Sequence, residues 1–268
     1  MITISIVLYN HSVEEIKLLI SPLQSCGAIW NIYLVDNSPA ANPDFEKLPV
    51  VYMFTGKNLG YGSAHNIAIR ESIKEGIKYH LVLNPDIRTT ENVIEQLVDF
   101  MDTHEEVGLC MPNIVYPNME RQHLCKLLPA PTDLIFRRFF PTQDLKKKHD
   151  AKFELQIADY HNVFYAPSLS GCFMFMRTEI LQKVNGFDER FFMYCEDLDL
   201  CRRINAFSEL RYVPTEPVIH QYNKESYRKV KLLGSHICSA IKYFNKWGWI
   251  FDKERKIINR KTLKQLNL

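Results

Sequence analysis

Tyr79-His80-Leu81-Val82-Leu83-Asn84-Pro85-Asp86-Ile87 is the stretch from which the rest of the chain is read. Its first half is a short, mostly apolar run, the pattern of a strand buried on both faces. The run stops at Asn84-Pro85-Asp86, because proline cannot continue a central strand and keeps the preceding residue extended. Thr89 and Thr90 then offer helix N-caps, and Glu91 suits a first turn. Asp86 therefore lies just past the carboxyl end of a buried strand and ahead of a helix, where open α/β sheets bind ligands. A hard carboxylate at that place is able to hold a divalent ion, and the ion phosphate oxygens. Alone, the same three residues would serve as a plain turn. The pattern on either side favours a site.

Upstream, Ile2–Leu8 reads as a first strand ending in the polar Tyr9-Asn10-His11-Ser12. Val13 to Cys26 has helical spacing, with Gly27 as its C-cap. Ile32–Val35 is a second strand, stopped by Asp36-Asn37-Ser38-Pro39, and Val50–Phe54 a third. Gly56-Lys57-Asn58-Leu59-Gly60 leads into a helix from Ala64 to about Glu75. Downstream, a helix from Thr90 to Thr103 precedes a strand at Val107–Cys110. Strands alternating with helices build a mostly parallel sheet, and right-handed crossovers place successive strand ends on one edge. Tyr9, Asn10, Asp36, Lys57, Asn58, Asn84 and Asp86 are thereby expected to converge on a cleft.

From Arg121 to about Ala166 the alternation stops. Pro129, Pro131, Pro141, the basic Lys146-Lys147-Lys148 and clustered aromatics mark a long, partly helical excursion suited to a lid or partner surface. Order returns at Ser170-Gly171 and the apolar run Cys172–Met176, followed by Gly186-Phe187-Asp188-Glu189. Phe191-Phe192-Met193-Tyr194-Cys195-Glu196-Asp197-Leu198-Asp199-Leu200 then opens a helix on acids. Asp199 has Arg202 and Arg203 at pairing distances along the helix, whereas Glu196 and Asp197 have no basic partner there. An acid unpaired on its own helix and beside bulky apolar side chains should have a raised pKa, as a general base requires. The competing reading is that both acids complement the helix N-terminus. A last strand, Pro217–His220, ends in a potential metal ligand.

The 268 residues carry a net charge of +2 and are 46% hydrophobic, a soluble globular composition that bulk charge assigns to no particular partner. From Arg228 to the end, eleven Lys/Arg face only Asp252 and Glu254. Ser226 to Trp249 is helical, amphipathic and rich in aromatics, so this tail either lies on an anionic membrane surface or packs on the body. Seven cysteines are scattered without a CxxC pair, as expected of free thiols in a reducing cytosol rather than of a zinc site. The apolar start is too short for a signal peptide.

Taken in order, Ile6–Asn10, Leu34–Ser38, Lys57–Gly60, Leu83–Asp86, Ser170-Gly171, Gly186–Glu189 and Glu196–Leu200 resemble an inverting glycosyltransferase of family 2 with the GT-A fold, in its bacterial rhamnosyltransferase-like branch. The resemblance spans residues 2 to about 220. It implies a catalytic domain over 1–225, with a nucleotide-binding half to about 115 and an acceptor-binding half after it, and a basic tail over 226–268. It implies that Tyr9, Asn10 and Asp36 hold the nucleotide, and that Lys57, Asn58, Gly60, Asn84 and Gly171 line the nucleotide-sugar pocket. Asp86 and His220 would bind Mg or Mn, and Asp197, with Glu196 beside it, would be the catalytic base. Asn84 stands where the family's DxD motif has its first aspartate. The implied partners are a dTDP- or UDP-sugar and a hydroxyl of a glycan or lipid-linked glycan, with no nucleic acid. The implied location is cytoplasmic, peripheral on the inner face of the membrane. Two other readings compete. A nucleotidyltransferase should carry a glycine-rich loop where Tyr9–Ser12 stand. A non-catalytic binding protein on the same fold would be consistent with the missing aspartate.

Overall fold

The computed structural model describes residues 1–134, 143–221 and 230–267, with residues 230–233 by backbone alone. The expected helix start at Ser226 and the central part of the 121–166 excursion around Pro141 lie outside the described residues.

The first strand, β1 (Ile2–Leu8), is buried along almost its whole length and leads to helix α1 (Val13–Ile20). Ser12 and Glu15 close a reciprocal capping box at the start of α1. This helix ends earlier than its apolar spacing implies. Pro22 tightens the chain into a 3₁₀ turn over Ser21–Leu23, and Gly27 caps nothing. Strands β2 (Ile29–Asp36) and β3 (Val51–Phe54) follow, then α2 (Tyr61–Lys74), which starts three residues before the expected Ala64. The deciding stretch forms β4 (Tyr79–Leu83), buried at every position. A two-residue strand, β5 (Ile87–Arg88), separates it from α3 (Glu91–Thr103), whose N-cap is Thr90. β6 (Val107–Met111), β7 (Ile114–Val115) and β8 (Cys125–Lys126) lead to short helices α4 (Pro131–Leu134) and α5 (Gln143–Phe153). The last strands are β9 (Phe164–Tyr165), β10 (Ser168–Leu169), β11 (Phe173–Arg177), β12 (Glu209–Tyr212) and β13 (Val218–His220). Helices α6 (Thr178–Val184) and α7 (Glu196–Ile204) lie between β11 and β12.

One eight-stranded sheet, ordered β3-β2-β1-β4-β11-β6-β12-β9, runs through both halves of the chain. β1 pairs in parallel with β2 and β4, and β2 with β3, while β11 runs antiparallel between β4 and β6. That reversal decides the site. Because Phe173 pairs with Leu83, the residues just before β11 lie at the same sheet edge as those just after β4. A second small sheet, β5-β13-β7, sets His220 opposite Ile87 and so beside Asp86. Apolar faces of α1, α2, α3 and α6 cover the large sheet and form one continuous core.

Beneath α2 the core holds a polar network. Ser5 joins His65 Nδ1 (2.7 Å) and His80 Nε2 (2.8 Å), and Ser72 joins His80 Nδ1 (2.8 Å). Burial lowers the pKa of both imidazoles, that of His80 to about 3, so they stay neutral partners.

The tail is two helices, α8 (Val230–Trp247) and α9 (Lys253–Gln265), where the sequence pattern gave one. Both pack on the body. Ala240, Tyr243 and Phe244 of α8 bury against Phe191 and Cys195. At the start of α9, Asp252 receives Arg202 through two bonds of 2.6 and 2.7 Å, both side chains being 2% exposed. Arg202 therefore does not pair with Asp199 as its helix spacing allows. Among the described residues no helix is long and apolar enough to cross a membrane.

Candidate functional site

The carboxyl edge of β1, β2 and β4 is stitched together by side chains that turn back onto backbone. Asn10 takes a left-handed conformation (φ 57°), which asparagine tolerates, and its N–H donates to Ser38 Oγ at 2.8 Å. Asn37 Nδ2 donates to the Gly60 carbonyl at 3.0 Å, and Gly60 N–H to Asn58 Oδ1 at 2.9 Å. Asp36 is buried, with one carboxylate oxygen taking the Tyr52 hydroxyl (2.7 Å) and the other the Ser38 N–H (2.9 Å). Both oxygens of Asp36 are thus engaged within the edge. Tyr9 and Lys57 stand exposed beside it. Gly60, at φ 84°, admits no side chain, since a Cβ there would meet the Phe192 carbonyl oxygen. The next residue, Tyr61, donates its N–H to that same carbonyl at 2.9 Å. The loop that ends at Gly60 and the loop that carries the acids are thus joined directly.

Asp86 lies where the sequence places it. Its Oδ2 is 3.3 Å from His220 Nε2, and its Oδ1 is buried without a hydrogen-bond partner among the described residues. Burial opposes the charge on Asp86, but His220 more than offsets it and holds the carboxyl below its ordinary range. For His220 burial works against protonation, while Asp86 and Cys172 outweigh it and push the imidazole up to about 10. Gln122 fixes the ring from behind, its Oε1 2.9 Å from His220 Nδ1 and its Nε2 donating to the His220 carbonyl. An orphaned hard oxygen beside an oriented imidazole fits a divalent cation, which would take the place of the imidazolium proton. Among the described residues no cluster of three or more His, Cys, Asp or Glu stands ready to hold a metal. Such an ion would need further oxygens from a bound diphosphate, as Mg commonly does.

The acids at the start of α7 are presented by strained backbone. Tyr194 (φ 70°) and Cys195 (φ 62°) are both left-handed, a conformation costing on the order of 1 kcal/mol or more for each such residue. Their turn swings Glu196 and Asp197 into the first turn of α7 at the sheet edge. Asp197 is partly exposed; its Oδ2 accepts the Gly171 N–H at 3.0 Å and its Oδ1 the Leu198 N–H at 2.8 Å. Burial raises its pKa above the ordinary value, against the pull of those two amides. Glu196 is buried, its Oε2 has no partner, and burial together with Asp197 raises it well above the ordinary range. Of the two, Asp197 is the carboxyl that both accepts backbone amides and reaches solvent. Gly171 contributes its amide rather than its lack of a side chain, since a Cβ there would make only ordinary contacts.

Tyr61 bridges the two sides and has no signal in the sequence beyond its place after Gly60. Its hydroxyl donates to the Gly171 carbonyl at 2.6 Å and lies 3.0 Å from Asn84 Oδ1. Asn84 is thus set against the tyrosine hydroxyl. Gln122 and Asn37 are likewise invisible to periodicity, because their partners lie in distant segments.

The model of the Glycosyl transferase family 2 matches residues 4–184. The chain is 26% identical over 230 residues to the rhamnosyltransferase WbbL of Escherichia coli (strain K12), covering 82% of this chain and 83% of that protein. It is 28% identical over 187 residues to an N-acetylglucosaminyl-diphospho-decaprenol L-rhamnosyltransferase of Mycobacterium tuberculosis, covering 62% of this chain and 57% of that one. Among solved structures, residues 1–349 of S. aureus TarS superpose with a TM-score of 0.55 at 14% identity, over 88% of this chain and 65% of that chain. GalNAc-T7, solved with UDP, GalNAc and Mn2+, gives 0.62 at 14% identity, over 83% of this chain and 43% of that chain. These likenesses show the fold. The chain spans less than two thirds of the mycobacterial relative and of both structures.

Proposed function

The chain belongs to glycosyltransferase family 2, an inverting family, and from that premise we propose that it moves a rhamnose-like sugar from a dTDP- or UDP-sugar to a lipid-linked glycan in bacterial surface-polysaccharide synthesis. The observation that carries the assignment of roles is the pair Asp86 and Asp197. They line one sheet edge, joined through Asn84, Tyr61 and Gly171, and their surroundings push their proton affinities in opposite directions. Two acids driven apart in this way divide the work between a permanent anion and a base.

Asp86 and His220 would hold Mg or Mn on the donor side, where the ion supplies charge neutralisation to the diphosphate leaving group. Asp197 orients the acceptor hydroxyl and takes its proton as the oxygen attacks the anomeric carbon. The carbon–oxygen bond to the diphosphate breaks in the same displacement. The electron pair leaves with the nucleoside diphosphate, the proton stays on Asp197, and the anomeric configuration inverts. Glu196 lies beside Asp197, buried and with no partner on Oε2. Gly60 and Asn58 shape the donor pocket, and Tyr9, Asn10 and Lys57 offer polar groups at its rim.

The rhamnose rests on the names of both relatives, and the lipid-linked acceptor on that of the decaprenol-linked enzyme alone. Mass spectrometry of reactions containing dTDP-rhamnose or UDP-sugars and a polyprenyl-diphosphate-linked N-acetylglucosamine tests it. The expected product is heavier by one deoxyhexose, whether the dTDP- or the UDP-linked donor supplies it. A product heavier by any other sugar, or none from any donor, would overturn the sugar assignment.

A further inference from the structure

Helix α8 has two unlike faces. Its inner face, Ala240, Tyr243 and Phe244, is buried against Phe191 and Cys195, the residues that lead into Glu196 and Asp197. On its outer face Ile237 and Ile241 sit one turn apart, 44% and 40% exposed. Trp249 continues that line, its indole N–H donating to Asn245 Oδ1 at 2.8 Å. Gly248, at φ 100°, ends the helix, and the chain then carries Ile250 and Phe251 out to 70% and 91% exposure.

This tip is no frayed end. Phe244 packs on Trp249, and the next residue, Asp252, is locked to buried Arg202. Single exposed apolar residues need no explanation, but a rigidly held row of them on one helix face and its closing turn does. The charges beside the row identify what it meets. On α9, Lys253, Lys256, Arg260 and Lys264 recur at helical spacing and are all exposed, with Ile257 among them at 67% exposure. The exposed acid of α9, Glu254, is tied to Arg202. Apolar side chains standing out beside a basic helix face match the boundary between acyl chains and anionic headgroups.

We propose that Ile237, Ile241, Trp249, Ile250 and Phe251, with the basic face of α9, dock the protein on an anionic bilayer. Ile250 and Phe251 enter the headgroup boundary while the α9 cations meet lipid phosphates. The inner face of the same helix touches Phe191 and Cys195, so α8 joins this surface to the residues that precede the acids. Its use in presenting a lipid-linked acceptor rests on the proposed transfer reaction; the docking itself does not.

Co-sedimentation of the full chain with vesicles tests it without any turnover. Phosphatidylcholine vesicles are compared with phosphatidylcholine–phosphatidylglycerol vesicles over a range of salt. The wild type should bind the anionic vesicles, and salt should weaken binding by screening. Ile250→Ser with Phe251→Ser should lose binding at every salt concentration. Lys256→Glu with Arg260→Glu should lose the preference for anionic lipid, at roughly five-fold or more for each charge altered. All four positions are exposed, so thermal unfolding should be unchanged in both variants. Wild-type protein that ignores anionic vesicles at low salt overturns the proposal. So does self-association abolished by the Ile250/Phe251 variant in the absence of vesicle binding, which would assign the face to a second copy of the chain.

Discussion

Gly171 donates its backbone N–H to Asp197 Oδ2 at 3.0 Å, and the carbonyl of the same glycine accepts the Tyr61 hydroxyl at 2.6 Å. The proposed base is thus oriented by a backbone unit that the donor-side helix holds in place. Tyr61→Phe removes the hydroxyl but keeps the ring packed on His65 and Phe187. A lost hydrogen bond of ordinary strength is worth about 1 kcal/mol, so kcat should fall roughly five- to ten-fold. The donor KM should change little, because Asp86 and the pocket loops are untouched. An unchanged kcat would show that Gly171 needs no help from Tyr61.

The pH profile follows from the two acids of α7. Burial raises the pKa of Asp197, and the group works only when deprotonated. Activity should therefore be lost as pH falls through that raised value, with the acid limb of kcat above the ordinary carboxylate range of about 4. Burial, and then Asp197, raise Glu196 well above the ordinary range, so the limb is assigned to Asp197 and not to it. Glu196→Gln should keep both the rate and the limb. A profile of kcat against pH that loses its acid limb in Glu196→Gln would transfer the base role to that residue.

Metal dependence should trace to Asp86 and to the residue behind its partner. Isothermal calorimetry with UDP or dTDP, with and without chelator, should show Mg- or Mn-dependent binding in the wild type and none in Asp86→Ala. Gln122→Ala leaves both ligands present but frees the His220 ring. Loss of such an outer partner typically costs about 10- to 100-fold in metal affinity. Wild-type nucleotide affinity in Asp86→Ala, indifferent to chelator, would remove the ion from the donor side.

The attachment of the tail gives a stability prediction. Burial alone would raise the Asp252 carboxyl, but Arg202 outweighs it and holds it low. A carboxyl depressed on folding contributes stability that is present above its unfolded value, near 4, and is lost as pH falls toward the depressed one. Asp252→Ala breaks a buried pair and also removes the N-cap of α9, where Asp252 accepts the Arg255 N–H. About 3–5 kcal/mol should be lost in urea unfolding at neutral pH, with much less difference from wild type at acid pH. Asp199 belongs to the same region, and here the helix-spacing argument understates the residue. It is fully buried, bonded to Arg203 at 2.7 Å, Lys246 at 2.6 Å and the Trp247 indole at 2.8 Å. A few tenths of a kcal/mol, the worth of an exposed helix pair, becomes about 1–3 kcal/mol for a buried one.

The residues whose places were legible in the sequence share one property: those places are set by chain neighbours. Proline at 85 stops β4 and leaves Asp86 at the sheet edge, and the absence of a base near Asp197 on its own helix leaves it unpaired. The β-branched and apolar runs mark the strands for the same reason. What the sequence withheld is set by distant contacts. The reversal of β11, which brings Gly171 to Asp197, leaves no trace in an apolar run. The choice of Arg202 for Asp252 over Asp199 depends on how α9 returns to the body. The hold of Tyr52 and Ser38 on Asp36 is equally a matter of distant and loop contacts that a strand pattern does not carry.

Asp197→Asn is the variant that tests the central claim most directly. The amide keeps the size of the carboxylate but cannot accept the acceptor's proton. Transfer rate and donor affinity are to be measured side by side in the wild type and the variant, with dTDP-rhamnose and a lipid-linked acceptor. The account predicts a rate lower by about 10²–10⁴-fold with donor binding intact. Near-normal turnover in Asp197→Asn would contradict it.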